Sequence, residues 1–246
     1  MTRRRFIADE VSENKAVLTG GHAFHLARVL RLQVGQKFDI SVGDAVRQGT
    51  ITSIRDDRVE FALGLEQPVQ THAQLTLVLS IFKFDRMEWA IEKCTEIGVA
   101  RIVPLVARRT DAHLAAAAVK RRERWERIAR QASEQSLRPA PPEISPPAKL
   151  ERLEASAGVL PAAQGALRIV LGESESHIML RDVIETHLAS MQDAITLAIG
   201  PEGGWTSDEL QCFQTSGWIQ ASLGITVLRS ETAAVVASAI AMDGMR

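Results

Sequence analysis

The sequence predicts an α/β protein in two parts, a small β-barrel-like module over residues 1–70 and a mostly parallel, helix-covered sheet over 74–246. Three observations carry this. Residues 1–70 hold short segments rich in Val, Ile, Phe and Thr, separated by Gly, Asp and Asn turns. From Gln74 onward, continuous apolar runs of strand length alternate with helical periodicity, the pattern of strands buried on both faces. Between them, residues 65–73 (LEQPVQTHA) are polar and contain Pro68, as a linker would.

The elements follow in order. FIAD, VLTG, KFDISV, GTITSI and RVEFAL are the strands of the first part, interrupted by a helical piece over 22–30 (HAFHLARVL). In the second part LTLVLSI (75–81) is a strand, 86–97 is an amphipathic helix stopped by Gly98, and RIVPLVA (101–107) is a second strand. A basic helix covers about 120–136, and Pro139, Pro141, Pro142, Pro146 and Pro147 then exclude a helix or a central strand. RIVLG (168–172), AITLAIG (194–200) and an apolar segment near 225–228 supply three further strands. There is no internal repeat.

Composition bounds the class. Apolar residues make up 46% and charged residues 24% of 246, an ordinary globular balance. No apolar stretch approaches the roughly 18 residues of a spanning helix. Asp9 and Glu10 stand where a signal peptide needs its apolar segment, so a cytoplasmic protein is expected. Cys94 and Cys212 are far apart, and the six histidines are scattered, which gives neither a disulfide framework nor a metal site. His22 and His25 lie one helical turn apart without an acidic or thiol partner in pattern, so a packing or surface role is expected of them rather than a metal site. A net charge of −1 argues against nucleic-acid binding through overall charge. Two basic clusters remain, Arg3–Arg4–Arg5 and the run Lys120, Arg121, Arg122, Arg124, Arg127 and Arg130, because polyanion binding depends on local neutralisation.

Ligands of open parallel sheets bind beyond the carboxyl ends of the strands. That rule selects three loops: Gly172–Glu173–Ser174 after RIVLG, the GPEGG turn after AITLAI, and residues 223–231. The turn is the most informative. Thr206 and Glu209 read as a capping box for the next helix, and Gly217 as its end. Gly200, Gly203 and Gly204 remove every Cβ that would hold a ligand off the backbone, Pro201 stiffens the loop, and Glu202 is its one ionisable group. A tight turn needing glycine for conformation alone would be met by fewer glycines. The turn is neither G-x-G-x-x-G nor a P-loop, and a carboxylate opposes a pyrophosphate, so a ligand with adenine, ribose and a cationic centre suits it better. No G-x-S-x-G, H-E-x-x-H or paired Cys–His nucleophile is present.

Six stretches in order, RRRFIADE, HLARVLRLQVGQKFDI, KFDRMEWAIEKCTEIGVARIVPLVARRT, RWERIARQASEQS, LAIGPEGGW and VLRSETA, resemble the 16S ribosomal RNA uridine-N3 methyltransferases of the SPOUT superfamily. The resemblance spans nearly the whole chain, and GPEGG with LRSETA is its sharpest pair. It implies a PUA-like RNA-binding β-barrel, a C-terminal α/β domain with a trefoil knot, a homodimer, S-adenosylmethionine as cofactor and the small ribosomal subunit or its RNA as partner. No membrane or metal is implied. The implied cofactor residues are Leu171, Gly172, Ile199, Gly200, Pro201, Glu202, Gly203, Gly204, Leu223, Gly224 and Leu228. Two departures stand out. Leu137 and Pro139 replace the small residue and amide that usually flank Arg138, and Gly172–Glu173–Ser174–Glu175 is unusually acidic.

The implied chemistry removes the N3 proton, tolerates charge on the ring and aligns nitrogen with a sulfonium methyl. A base turned out of its stack is implied. Arg229 is the expected stabiliser of a uracil oxygen, with Glu231 either orienting it or accepting the proton, against the alternative that the two pair to cap the last helix. Gln135, Ser136 and Arg138 are the expected RNA contacts near the pocket, and Arg3, Arg4, Arg5, Arg28 and Arg31 the phosphate contacts of the barrel. The apolar 233–242 helix fits burial beside the knot or at a dimer face. The rival functions are a nucleotide-binding oxidoreductase, which the missing G-x-G-x-x-G disfavours, and a catalytically silent RNA-binding, dimerising protein.

Overall fold

The structure, a computed structural model, describes residues 5–43, 45–68, 74–155, 166–172, 177–187 and 194–245. Arg3, Arg4 and the acidic 173–175 stretch lie outside them. The chain divides into two compact units, 1–71 with 130–141, and 72–129 with 142–246.

In the first unit β1 (Arg5–Ile7), β2 (Glu10–Ser12), β3 (Lys15–Thr19), β4 (Lys37–Val42), β5 (Ala45–Arg55) and β6 (Arg58–Gln67) form one sheet in the order β1–β4–β5–β6–β3–β2. Only β1 and β4 run parallel. The long β5–β6 ladder shifts register between Arg47 and Gly49 and again between Ile51 and Ser53, and such bulges bend a strand. At Gly49 a Cβ would lie 2.3 Å from Ile40 Cγ1, so only glycine lets β4 and β5 approach this closely. Phe6, Leu18, Ile40, Ile51, Val59 and Phe61 form the core of this sheet. The expected helix at 22–30 is α1 (Gly20–Phe24), which runs on as a π-helical turn over His25–Val29 and buries Ala23 and Leu26.

The segment 130–141 is tied to this unit by polar side chains, which a linear reading of domains at 1–70 and 74–246 does not include. Arg130 Nη1 lies 2.6 Å from Asp9 Oδ1, and the Ile7 N–H donates to Glu134 Oε1 at 2.9 Å. His22 meets Glu134 Oε2 at 3.2 Å, an acidic partner that the sequence pattern does not show. Arg5 donates to the Leu137 carbonyl and pairs with Asp39 at 3.6 Å.

The second unit is a seven-stranded sheet with every described pairing parallel. Its strands are β7 (Gln74–Ser80), β8 (Arg101–Val106), β9 (Glu143–Ile144), β10 (Ala148–Lys149), β11 (Leu167–Leu171), β12 (Ala194–Ile199) and β13 (Ile219–Ala221). The order is β10–β8–β7–β12–β11–β13, with β9 beside β8. The proline-rich stretch yields only the two-residue β9 and β10, both paired to β8. Alternation along each strand splits the core: Leu75, Leu77, Leu79, Ile195, Leu197 and Ile199 face one layer, Val78, Val103, Val170 and Ala198 the other. The first layer is covered by α2 (Phe84–Ile97), α3 (Ala112–Gln135, counted with this unit up to Ala129), α5 (Leu180–His187) and α7 (Ser230–Gly244). The second is covered by α4 (Leu150–Ala155) and α6 (Ser207–Thr215). Gly98, at φ 123, ends α2 as expected, because an L side chain is strained there. No helix among the described residues is long and apolar enough to cross a membrane.

One expected strand is corrected. Residues 225–228 (ITVL) form a loop, with Ile225 103% and Val227 72% exposed, and the last strand is β13 instead. Gly224, at φ 136, turns the chain out of extended pairing, and the apolar side chains line a cavity rather than a sheet.

Cys94 is fully buried, and burial pushes its thiol up to about 12, whereas Cys212 is half-buried. At pH 8 an aromatic disulfide reagent is therefore expected to label Cys212 in the folded protein and Cys94 only after denaturation. Equal labelling rates for both thiols in native buffer would contradict this burial.

Candidate active site

The C-terminal ends of three neighbouring strands, β12, β11 and β13, open into one cavity of about 280 Å³. Its walls come from the three loops that the strand-end rule selects: Leu171 and Gly172 after β11, Ile199 to Gly204 without Glu202 after β12, and Ser222 to Leu228 after β13. Every expected cofactor residue except Glu202 lines it.

The loops are held by contacts that the sequence reading did not single out. The Trp205 indole N–H donates to the Leu171 carbonyl at 2.9 Å, joining the first loop to the second. Arg109 Nη1 donates to the carbonyls of Gly203 at 2.7 Å and Trp205 at 3.3 Å, so this cavity-lining guanidinium holds the backbone of the GPEGG turn. The capping box of α6 is present. Thr206 Oγ1 accepts from the Glu209 N–H at 3.3 Å, and Glu209 Oε2 accepts from the Thr206 N–H at 2.8 Å. The other oxygen of Glu209 accepts from the Arg108 N–H at 2.8 Å, which fixes the strand end that carries Arg109. Arg109 lies in the stretch ARRT, so its membership of a motif was the one available signal.

The glycines are used for proximity. A Cβ on Gly200 would stand 3.2 Å from the Trp205 indole nitrogen, and one on Gly172 2.6 Å from Gln220 Nε2. Gly204, at φ 69, also needs its conformation.

Glu202 is the exception, a correction to the cradle as read from sequence. Its carboxylate turns to Arg86 of α2, with Nη1 to Oε1 2.6 Å, and is absent from the cavity wall. A nearby guanidinium outcompetes an apolar, backbone-lined cavity for a charge. Arg86 also faces Glu231, Nε to Oε1 at 3.7 Å, and so connects the GPEGG turn to the first turn of α7. Arg229 and Glu231 therefore do not pair with each other to cap α7. Arg229 holds the N-cap position with no side-chain capping bond, and among the described residues its exposed guanidinium has no partner. Both residues line a second, shallower depression of about 360 Å³, with Asp85, Arg86, Trp89 and Thr232.

The expected RNA contacts divide. Arg5 is largely buried and used internally, with a side chain 12% exposed. Arg138 is also buried, and desolvation pushes its guanidinium down to about 10, leaving it charged at neutral pH. Ser136 Oγ donates to the Ala132 carbonyl at 2.7 Å. Leu137 occupies the left-handed region at φ 59, a conformation that favours the small residue it replaces. Arg28, paired with Asp56 at 2.8 Å, is exposed, as are Arg31 and Gln135. The basic run on α3 is partly neutralised. Arg124 and Arg121 meet Glu88 at 2.7 and 3.6 Å, Arg121 also lies over the Phe84 ring, and Arg122 meets Glu126 at 2.9 Å. Lys120 and Arg127 alone of that run have no acidic partner among the described residues.

The second unit is a parallel sheet with a backbone-lined cavity at its strand ends, the first is a β unit, and two family models give the class of the chain as RNA methyltransferase. The model of the RNA methyltransferase domain matches residues 69–242, and that of the RNA methyltransferase PUA domain matches 18–63. The chain belongs to this family of PUA-bearing RNA methyltransferases. Its relatives are of one particular kind. It is 31% identical over 242 residues to the ribosomal RNA small subunit methyltransferase E of Synechocystis sp., covering 97% of this chain and 77% of that one. It is 31% identical over 229 residues to the enzyme of the same name from Mycobacterium bovis, covering 90% and 84%. Among solved structures, the ribosomal RNA small subunit methyltransferase E of Neisseria gonorrhoeae bound to S-adenosyl methionine superposes with a TM-score of 0.80 at 26% identity, covering 96% and 95%. A Legionella pneumophila protein in complex with the bound cofactor SAM gives 0.85 at 25%, covering 99% and 98%.

Proposed function

We propose that the protein is an S-adenosylmethionine-dependent methyltransferase that modifies N3 of a uridine in the 16S ribosomal RNA of the small subunit, in the cytoplasm. The observation that carries this is the glycine-walled cavity at the ends of β11, β12 and β13, whose rim continues directly into Arg229 and Glu231. The residues fit the cofactor. Gly172, Gly200, Gly203 and Gly204 line the cavity without a side chain, which leaves room for an adenine and ribose, and Leu171, Ile199, Leu223 and Leu228 give the aliphatic walls that a poorly hydrated sulfonium tolerates. When bound, S-adenosylmethionine supplies an electrophilic methyl group.

The chain's own residues do the rest. Arg229 offers a forked cation to a uracil oxygen as charge develops on the ring. Glu231 takes the N3 proton as the N3–carbon bond forms. Its contact with Arg86 rather than Arg229 favours this over an orienting role. Arg28, Arg31 and Gln135 are proposed RNA contacts of the first unit, and a flat response of RNA affinity to salt would remove that electrostatic part. The same reading includes a trefoil knot and a homodimer. Supporting the knot, β12 enters between β7 and β11, both earlier in the chain.

The test combines binding and product. Titration calorimetry is expected to show 1:1 binding of S-adenosylmethionine, and mass spectrometry of small-subunit RNA incubated with both is expected to show 3-methyluridine. Binding without any methylated nucleoside, or a methyl at another position, rejects the assignment. Gly200→Val is expected to weaken cofactor binding at least tenfold, about 1.4 kcal/mol, because the bonded indole of Trp205 cannot give way. Unchanged affinity in that variant would place the ligand elsewhere.

A further inference from the structure

We propose that the depression lined by Trp89, Arg229 and Glu231 seats one unstacked uracil of the RNA, with the Trp89 indole as its stacking face; this deepens the methyltransferase reading and rests on it. Four tryptophans are present, and their environments differ sharply. Trp125, Trp205 and Trp218 are 0%, 8% and 4% exposed, while Trp89 is 45% exposed on a helix that buries Met87, Ala90, Ile91 and Cys94. Helical spacing puts Asp85, Arg86 and Trp89 on one side of α2, and that side forms the depression with Arg229, Glu231 and Thr232.

The chemistry of this lining matches one base. Glu231 is buried, one oxygen facing Arg86 at 3.7 Å, and among the described residues its Oε2 accepts no hydrogen bond. A buried carboxylate oxygen left without a donor is costly, and an incoming N–H relieves that cost. In the same depression, the guanidinium of Arg229 stands exposed and, among the described residues, unpartnered. Uracil presents acceptor, N3–H donor and acceptor along its edge, which suits a carboxylate flanked by a forked cation. Cytosine presents a bare N3 acceptor to the same carboxylate and is repelled. A flat indole supplies the ring contact that single-stranded bases take from aromatic side chains. Four of the six lining residues are ionisable, which is unlike the charge-depleted core of a protein–protein interface.

The chain also links this seat to the cofactor cavity. Leu228 and Ser230 line the cavity, whereas Arg229 and Glu231 line the depression, so one segment is the wall of both.

The experiment uses full-length Trp89→Ala and Trp89→Phe with small-subunit RNA, read as separate KM and kcat values. Expected are a rise in RNA KM of about 5- to 100-fold for alanine, substantial rescue by phenylalanine, and unchanged cofactor affinity and thermal midpoint. Small-subunit RNA with 4-thiouridine in place of its uridines is expected to photocross-link to Trp89, a readout independent of turnover. Unaltered KM in Trp89→Ala, or cross-links confined to other residues, overturns the proposal. So does conversion of a dimer to a monomer by that substitution in light scattering, which would assign the face to a second copy. If the wild-type chain binds no S-adenosylmethionine and methylates nothing, the failure lies with the methyltransferase reading, and the cross-link still reports on the base seat.

Discussion

Arg229→Ala is expected to lower the single-turnover rate of methylation by about 10²- to 10³-fold at saturating cofactor and RNA, the usual effect of removing one donor to developing charge. The protein should remain folded, because this guanidinium is exposed, makes no capping bond to α7 and has no partner among the described residues. Its stability change is expected within about 0.5 kcal/mol. Arg229→Lys should recover part of the rate, keeping the charge but losing the fork. A wild-type rate in the alanine variant would remove Arg229 from the chemistry and leave only its place at the start of α7.

Glu209→Ala should produce the largest loss of stability of any polar substitution near the cavity, about 3–4 kcal/mol. Glu209 is 4% exposed and accepts from the N–H groups of Arg108 and Thr206 and from the Thr206 hydroxyl, at 2.8, 2.8 and 3.0 Å. Hydrogen bonds to a charged group contribute about 1.5–3 kcal/mol each, and alanine leaves two backbone donors without their acceptor. At about 2–4 °C per kcal/mol for a domain of this size, the thermal midpoint should fall by roughly 10 °C. Cofactor affinity should fall as well, since the strand end carrying Arg109 loses its anchor. A calorimetric midpoint within about 2 °C of wild type would show that the capping box is dispensable. Glu209→Gln keeps an acceptor and should lie between the two.

Much of the second unit was legible because each signal was local. The runs LTLVLSI, RIVPLV, LRIVL and AITLAI are buried on both faces, so their apolar continuity identified strands directly. Thr206 and Glu209 are three residues apart, and the capping box they form depends only on that spacing. The three cavity loops were found because a parallel sheet puts ligand loops at its strand ends, whatever the sequence between. ITVL misled for the same reason: a short apolar run reads alike whether it pairs in a sheet or lines a cavity.

The remaining decisions needed distance in space. Glu202 looked like the carboxylate of the cradle because its partner, Arg86, is 116 positions away. Arg5 looked like a phosphate ligand until its contacts with Asp39 and the Leu137 carbonyl, the latter 132 positions away, accounted for it. The six arginines and lysines between 120 and 130 looked like one basic patch, yet Glu88 on another helix pairs with two of them and offsets one charge.

The sequence by itself determined the alternation of strands and helices, the β-rich N-terminal module, the glycine cradle and the family resemblance, since periodicity, capping and turn chemistry act within a few residues. Only the tertiary structure decided which charges are spent on one another and which, like Arg229, stay available. It also decided that Trp89 stands open beside a buried carboxylate. An ion pair or a shared depression is fixed by proximity in three dimensions, and linear order carries no measure of that distance.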